Sequence, residues 1–182
     1  MDEDNLCIER FLSGDNEGFA DLVRKYQDRV LNIVYSLIGR DRESEDIAQE
    51  AFLKVYHNLK TFRQNSKFST WLYRIVVNTA YDFLRKRENF VSDEVALQKS
   101  INIQNSPVDN LLKQEKEAML EKALVNVPLK FRTALVLKDI EGLSYKQISE
   151  VLGCGIGTVE SKIYRARQFL KEELLKLGGF LR

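Results

Sequence analysis

Proline is nearly absent from this chain: Pro107 and Pro128 are the only two in 182 residues. Little therefore interrupts long helices, and the apolar residues recur at helical spacing. Residues 16–38 are predicted as one helix, with Phe19, Leu22, Val23, Tyr26, Val30, Ile33, Val34 and Leu37 as its apolar stripe. Gly39 ends it. The acids Asp41, Glu43, Glu45 and Asp46 then supply the negative start expected of a second helix carrying Ile47, Ala48, Ala51, Phe52, Val55, Tyr56 and Leu59. After a loop near 61–67, a third helix over about 69–87 is predicted to bury Leu72, Ile75, Val76, Thr79 and Phe83. From Glu88 to Ser106 no period is sustained and Asn, Ser and Gln accumulate. That predicts a flexible linker, placed at 91–106, between lobes over 1–90 and 107–182. Ser106-Pro107 suits the cap and first turn of a helix running to about Val127, and Pro128 separates it from another ending at Gly142. No internal repeat or sustained β alternation appears. The expected fold is all-α: two small helical domains, an N-terminal bundle and a C-terminal helix-turn-helix, joined by the linker.

Composition excludes several kinds of function. His57 is the only histidine, which removes most zinc sites and catalytic triads. Cys7 and Cys154 are too few and too far apart in sequence for a disulfide framework. No apolar run approaches a membrane span, and the acidic opening Asp2-Glu3-Asp4 is unlike a signal peptide. A cytoplasmic, reduced, non-enzymatic chain with no cofactor, metal or small-molecule substrate is expected. Net charge is only +1, yet it is segregated: −5 through Ala20, +6 over 51–90 and +4 from Pro128 onward. Two basic regions on a nearly neutral chain predict two polyanion-facing surfaces.

The sharpest local signal lies at 143–157. Ser144 and Gln147 have the spacing of a capping box, with Leu143 and Ile148 placed as its hydrophobic staple. Gly153-Cys154-Gly155 then makes a tight connection to a helix whose buried stripe is Val159, Ile163, Ala166, Leu170 and Leu174. Two short helices so joined predict a helix-turn-helix, whose second helix can enter the major groove. Thr158, Ser161, Arg165 and Gln168 occupy its outward face, flanked by Glu160 and Tyr164, with Lys162 and Arg167 placed for phosphates. Arg165 can read a guanine bidentately, and Glu160 can accept from a cytosine amine.

Opposite the buried stripe of the 69–87 helix lie Trp71, Arg74, Asn78, Tyr81, Asp82 and Arg85. The loop before it adds Phe62, Arg63, Asn65, Lys67 and Phe68. Aromatic groups among bases suit unpaired nucleotides, because stacking on a side chain replaces stacking in the duplex. Phe68 and Trp71 are also expected to serve the lobe's core, since Trp is usually mostly buried. The 41–59 helix presents a contrasting face: Asp46, Gln49, Glu50 and Leu53, an apolar contact ringed by acids. DNA is repelled by such a face, whereas a basic protein partner fits it. A di-metal carboxylate bundle is excluded, because Lys54 rather than Glu stands three residues before His57.

Together these segments resemble a bacterial RNA polymerase sigma factor of the small extracytoplasmic-function type, in the sigma-70 family. Asp46-Ile47-Ala48-Gln49-Glu50-Ala51-Phe52 is similar to its polymerase-docking helix. Phe68-Ser69-Thr70-Trp71-Leu72-Tyr73-Arg74-Ile75 with Asn78-Thr79-Ala80 and Asp82 is similar to its promoter-melting, −10-reading segment. Gly142-Leu143-Ser144-Tyr145 and the run from Gly157 to Arg167 resemble its −35-reading helix-turn-helix. The resemblance implies that Asp46, Gln49, Glu50 and Leu53 contact core RNA polymerase, that residues 61–69 capture an extruded promoter base, and that Asn78, Tyr81, Asp82 and Arg85 follow the separated strand. It also implies promoter DNA and an anti-sigma factor, often membrane-tethered, as partners. Glu160 stands where the family usually has Lys or Arg, and Gly155 where it often has Pro. Both lie at the reading end of the recognition helix, so an upstream preference unlike the family's usual one is expected. The alternative is a stand-alone helix-turn-helix regulator whose N-terminal lobe senses a ligand or dimerises.

Overall fold

The computed structural model describes residues 2–40, 42–91 and 111–178. Eight α-helices lie among them: α1 (Glu3–Leu12), α2 (Glu17–Ile38), α3 (Arg42–Asn58), α4 (Phe68–Val91), α5 (Leu111–Asn126), α6 (Leu129–Leu135), α7 (Tyr145–Leu152) and α8 (Ile156–Lys176). No strand occurs among the described residues. The helix α4 runs to Val91, one residue into the expected linker. The rest of that linker and the Ser106-Pro107 cap lie outside the described residues.

α1 to α4 form the first lobe. The stripe read from the sequence is buried along α2 at Leu22, Tyr26, Val30, Ile33, Val34 and Leu37, and it meets Ile47, Ala48, Ala51 and Val55 of α3 and Leu72 and Val76 of α4. Each such Leu, Ile or Val contributes roughly 1.5–3 kcal/mol when fully removed from water. The side-chain hydroxyl of Ser44, in the first turn of α3, donates to the Gly39 carbonyl at 2.7 Å, which ties α3 to the end of α2.

The sequence reading assigned no helix before residue 16, yet α1 docks on α2. Ile8 enters the core. Buried Asp4 accepts a 2.6 Å hydrogen bond from the Tyr26 hydroxyl and pairs with Lys25 at 2.8 Å. Burial and the Asp4 carboxylate together push the Tyr26 phenol well above its usual value. The two helices approach so closely at Gly18 that a Cβ there would press on the Cys7 carbonyl and lie 2.8 Å from the Phe11 amide nitrogen.

α5 to α8 form the second lobe around Phe131, Ala134, Leu137, Ile148, Val159, Ile163 and Ala166. A π-helical turn over Val136–Ile140 follows α6, its last amide reaching from Glu141 to the Val136 carbonyl at 3.1 Å. The predicted capping box is present: the Gln147 amide nitrogen donates to the Ser144 hydroxyl at 3.3 Å, and the Ser144 amide donates to the Gln147 side chain at 3.0 Å. Gly153 closes α7 at φ +61°, a left-handed conformation that a side chain would strain.

The lobes are in contact. α7 packs on α4, and α2 touches α5 and α6. The sequence pattern did not reveal this because α4 carries a second apolar face. Besides the expected stripe, Tyr73, Val77 and Ala80 are buried, with Tyr81 and Leu84 packed against the core. A single apolar cluster therefore spans both lobes.

The crowding at Gly18 makes a specific demand. Gly18→Ala is expected to loosen α1 and to lower stability by about 1–3 kcal/mol, the cost of overpacking. Chemical denaturation measures this, and an unchanged midpoint would mean that α1 does not sit against α2 in solution.

Candidate functional site

Three surfaces carry the residues singled out from the sequence. On α3, Asp46, Gln49, Glu50 and Leu53 all face outward, and Leu53 is 59% exposed. Glu50 pairs with Lys54 at 2.8 Å, and the Lys54 amine also reaches the Thr79 hydroxyl of α4 at 3.2 Å, so the ridge is braced from behind. Beside it lies an open groove of about 410 Å³, lined by Phe19, Val23, Gln49, Phe52, Leu53 and Tyr56. The sequence stripes placed Phe19, Val23, Phe52 and Tyr56 among core positions. They are half-buried or exposed instead, and Phe11 of α1 packs over this end, with its ring 5.6 Å from Phe19 and 5.1 Å from Tyr56. An apolar groove beside carboxylates can accept the side chains of a basic helix. The groove is the feature sequence reasoning missed. Its signal was the excess of aromatic residues at the shared end of two stripes.

The second surface is built on α4 and the loop before it. Phe68 is buried as expected, and half-buried Phe62 and Trp71 pack on it, with ring centroids 5.2–6.0 Å apart. Around this cluster Arg63, Asn65 and Lys67 are exposed, and Gln64 holds a positive φ of 56° at the loop's tip. Arg74, Asn78, Asp82 and Arg85 continue the exposed face along α4, with Arg85 paired to Asp82 at 2.9 Å. Tyr81 departs from that row. It is half-buried, and its hydroxyl shares a 2.7 Å hydrogen bond with the Thr133 hydroxyl of α6. Burial raises its phenol pKa. The reason is its membership of the second apolar face of α4, which the other lobe covers.

The third surface is α8. Val159, Ile163 and Ala166 point inward, while Thr158, Glu160, Ser161, Tyr164, Arg165, Arg167 and Gln168 are exposed and Lys162 is half-buried. Tyr164 is the most exposed large hydrophobic side chain of this helix, at 67%. The Ser161 hydroxyl donates to the Thr158 carbonyl at 2.9 Å. The Arg165 guanidinium lies 5.8 Å from the Phe131 ring centroid of α6, a cation–π contact. Arg167 is engaged from behind, making two hydrogen bonds to Asp139, at 2.8 and 3.2 Å, that raise its pKa. Among the described residues no cluster of His, Cys, Asp and Glu could hold a metal ion, and no helix is long and apolar enough to cross a membrane.

A helical chain with a groove-flanked acidic ridge, an aromatic-basic helix and a helix-turn-helix defines a nucleic-acid-reading protein that also carries a surface for a protein partner. Comparisons with known proteins narrow that class. The Sigma-70 region 2 family matches residues 22–90, and the Sigma-70, region 4 family matches residues 117–170. The chain is 36% identical over 179 residues to the ECF RNA polymerase sigma factor SigW of Bacillus subtilis (strain 168), covering 93% of this chain and 96% of the relative. It is 38% identical over 186 residues to the RNA polymerase sigma-H factor of Pseudomonas aeruginosa, covering 97% and 96%. Among solved structures, the sigma factor RpoE of Bartonella quintana, in complex with the anti-sigma factor NepR, superposes with TM-score 0.71 at 27% identity, covering 86% of this chain and 96% of that one. CnrH, in complex with the cytosolic domain of CnrY, shares the fold with TM-score 0.72 at 23% identity over 94% and 96%. The chain belongs to the ECF sigma factors of the sigma-70 family. It is an alternative sigma factor that directs promoter-specific transcription, a family of initiation factors rather than catalysts.

The Asp139–Arg167 pair engages one of the two bases that the sequence places at phosphates. An exposed pair of this kind contributes only about 0–1 kcal/mol to stability, and removing the acid frees the cation. Asp139→Ala is expected to strengthen nonspecific duplex binding at low salt and to steepen the log K against log salt slope by roughly one phosphate contact. An unchanged slope would show that Arg167 does not reach the backbone.

Proposed function

We propose that the three surfaces divide the work of promoter-specific initiation among themselves. The α3 ridge, with Asp46, Gln49, Glu50 and Leu53, docks on core RNA polymerase. The observation that carries this reading is the exposed apolar groove set beside carboxylates, on the one face that DNA would avoid. The loop residues Phe62, Arg63, Asn65 and Lys67 take up an extruded −10 base near the Phe68–Trp71 cluster, while Arg74, Asn78, Tyr81, Asp82 and Arg85 follow the separated strand. On α8, Arg165 and Glu160 read −35 base edges with Thr158, Ser161 and Tyr164, and Lys162 and Arg167 hold phosphates. The domains are assigned as 1–90 for docking and −10 work and 107–182 for −35 work, with 91–106 between them.

The setting follows the same chemistry. Docking on the polymerase requires a cytoplasmic location. An anti-sigma protein is the expected regulator, as for the solved relative RpoE, captured with the anti-sigma factor NepR. Such a partner gains most by covering the same exposed groove, since occupying it blocks polymerase docking directly.

Reconstitution tests the division of labour. The purified chain alone is expected to bind duplex promoter weakly, and addition of core polymerase is expected to give promoter-dependent transcripts from genomic templates. Asp46→Ala and Leu53→Asp should each weaken polymerase binding at least about tenfold while leaving the promoter sequence preference intact. Arg165→Ala should leave polymerase binding intact and cost about 1–3 kcal/mol of discrimination at one upstream base pair. Tight, symmetric operator binding without polymerase would favour a stand-alone regulator instead. A changed promoter preference in Asp46→Ala would remove the ridge from its assigned role.

A further inference from the structure

Two arginines of α8 are braced from neighbouring elements, and by different chemistry. Arg167 is gripped by a carboxylate: Asp139, in the π-helical turn, accepts from its Nε at 3.2 Å and from a terminal nitrogen at 2.8 Å. Part of its fork of N–H donors is thereby used. Arg165 is exposed and pairs with no acid among the described residues. Its guanidinium lies instead 5.8 Å from the centroid of the Phe131 ring. A ring face attracts the cation without occupying its donors.

The ring is itself fixed by packing. Phe131 is only 8% exposed, and it stacks on Phe169 with centroids 5.6 Å apart and 18° between the planes. Phe169 stands four residues after Arg165 on α8, so the two side chains share one helix face. Phe131 of α6 is laid against both of them. The Lys130 ammonium lies 4.9 Å from the same centroid. Its like charge discourages rotamers that fold the guanidinium back toward the start of α6. A long Arg side chain loses rotamer freedom when it binds, and a contact that has already removed part of that freedom leaves less to lose on DNA.

We infer that Phe131 is a positioning residue for base reading. It steadies the Arg165 guanidinium on the recognition helix with its donors open, the state needed to give two parallel hydrogen bonds to O6 and N7 of a guanine. Phe169 supports the ring. This rests on the reading of Arg165 as a base reader proposed above. The kind of brace then sorts the two arginines: Arg167, held by a carboxylate, serves the backbone, and Arg165, held by a ring, keeps its fork for a base. Preference at one upstream base pair is thus tuned by a core residue that does not itself touch DNA.

Holoenzyme assembled from the full-length chain and core polymerase tests this on promoter duplexes that carry each single base-pair change in the upstream element. Phe131→Leu keeps an apolar side chain and removes the ring face. It should lower discrimination about two- to fivefold at the base pair that Arg165→Ala also affects, and at no other. The slope of log K against log salt should stay unchanged, because the phosphate contacts are retained. Phe131→Tyr keeps the ring face and should discriminate as wild type does. Phe169→Leu makes the same test at an exposed position by removing the stacking support, with a loss of about twofold expected at the same base pair. In the free chain, the ring-current shift of the Arg165 Nε–H resonance should vanish in Phe131→Leu and persist in Phe131→Tyr. Positioning is overturned if Phe131→Leu discriminates like wild type, if it weakens binding to every duplex equally, or if the Arg165 resonance does not move. If Arg165→Ala leaves every preference unchanged while Phe131→Leu still moves that resonance, the base-reading role of Arg165 is what fails, and the brace with it has no bearing on specificity.

Discussion

The helix α4 is buried on two sides at once, and the rest of the molecule is arranged around that fact. One side, through Leu72, Val76 and Thr79, completes the bundle with α2 and α3. The other, through Tyr73, Val77 and Ala80, meets the second lobe. Only a narrow strip is left for solvent, and it holds Arg74, Asn78, Asp82 and Arg85. The nucleic-acid contacts proposed for this strip rest on a helix that is otherwise core, which gives those side chains a rigid base. It also makes the strand-following surface sensitive to where the second lobe sits.

Charge segregation does the complementary work. The acids cluster in the first two dozen residues and along α3, while the bases gather on α4, its preceding loop and the second lobe. In the division of labour proposed above, the ridge of Asp46 and Glu50 repels the polyanion that the other two surfaces attract, which keeps the ridge for protein and the cationic faces for DNA. A total charge of only +1 hides this arrangement, which is visible only when charge is read segment by segment.

Much of the fold was legible in the sequence because single local devices specify it. The Ser144–Gln147 capping box, the Gly153 turn and the Val159–Ile163–Ala166 stripe each require only their own neighbours, and each is present. The exposed positions of Asp46, Gln49, Glu50 and Leu53 followed from the period of one helix. What was not legible depends on pairs of elements. α1 was missed because its helix is fixed by Asp4 meeting Tyr26 and by Gly18 admitting it, contacts separated along the chain. The groove beside Leu53 arises between α2 and α3 next to Phe11 of α1, and the turning of Tyr81 toward Thr133 needs a lobe contact that periodicity does not encode.

Hydroxyl-radical footprinting of side chains, on the chain alone, with core polymerase, and with polymerase plus promoter, separates these roles in a single experiment. Leu53 and Tyr56 should lose reactivity on adding polymerase alone, and Tyr164 should be protected only when promoter DNA is added. If Leu53 and Tyr56 stay as reactive in the complete assembly as in the free chain, the α3 ridge faces open solvent. The division between a protein-gripping ridge and two DNA-facing surfaces would then be wrong.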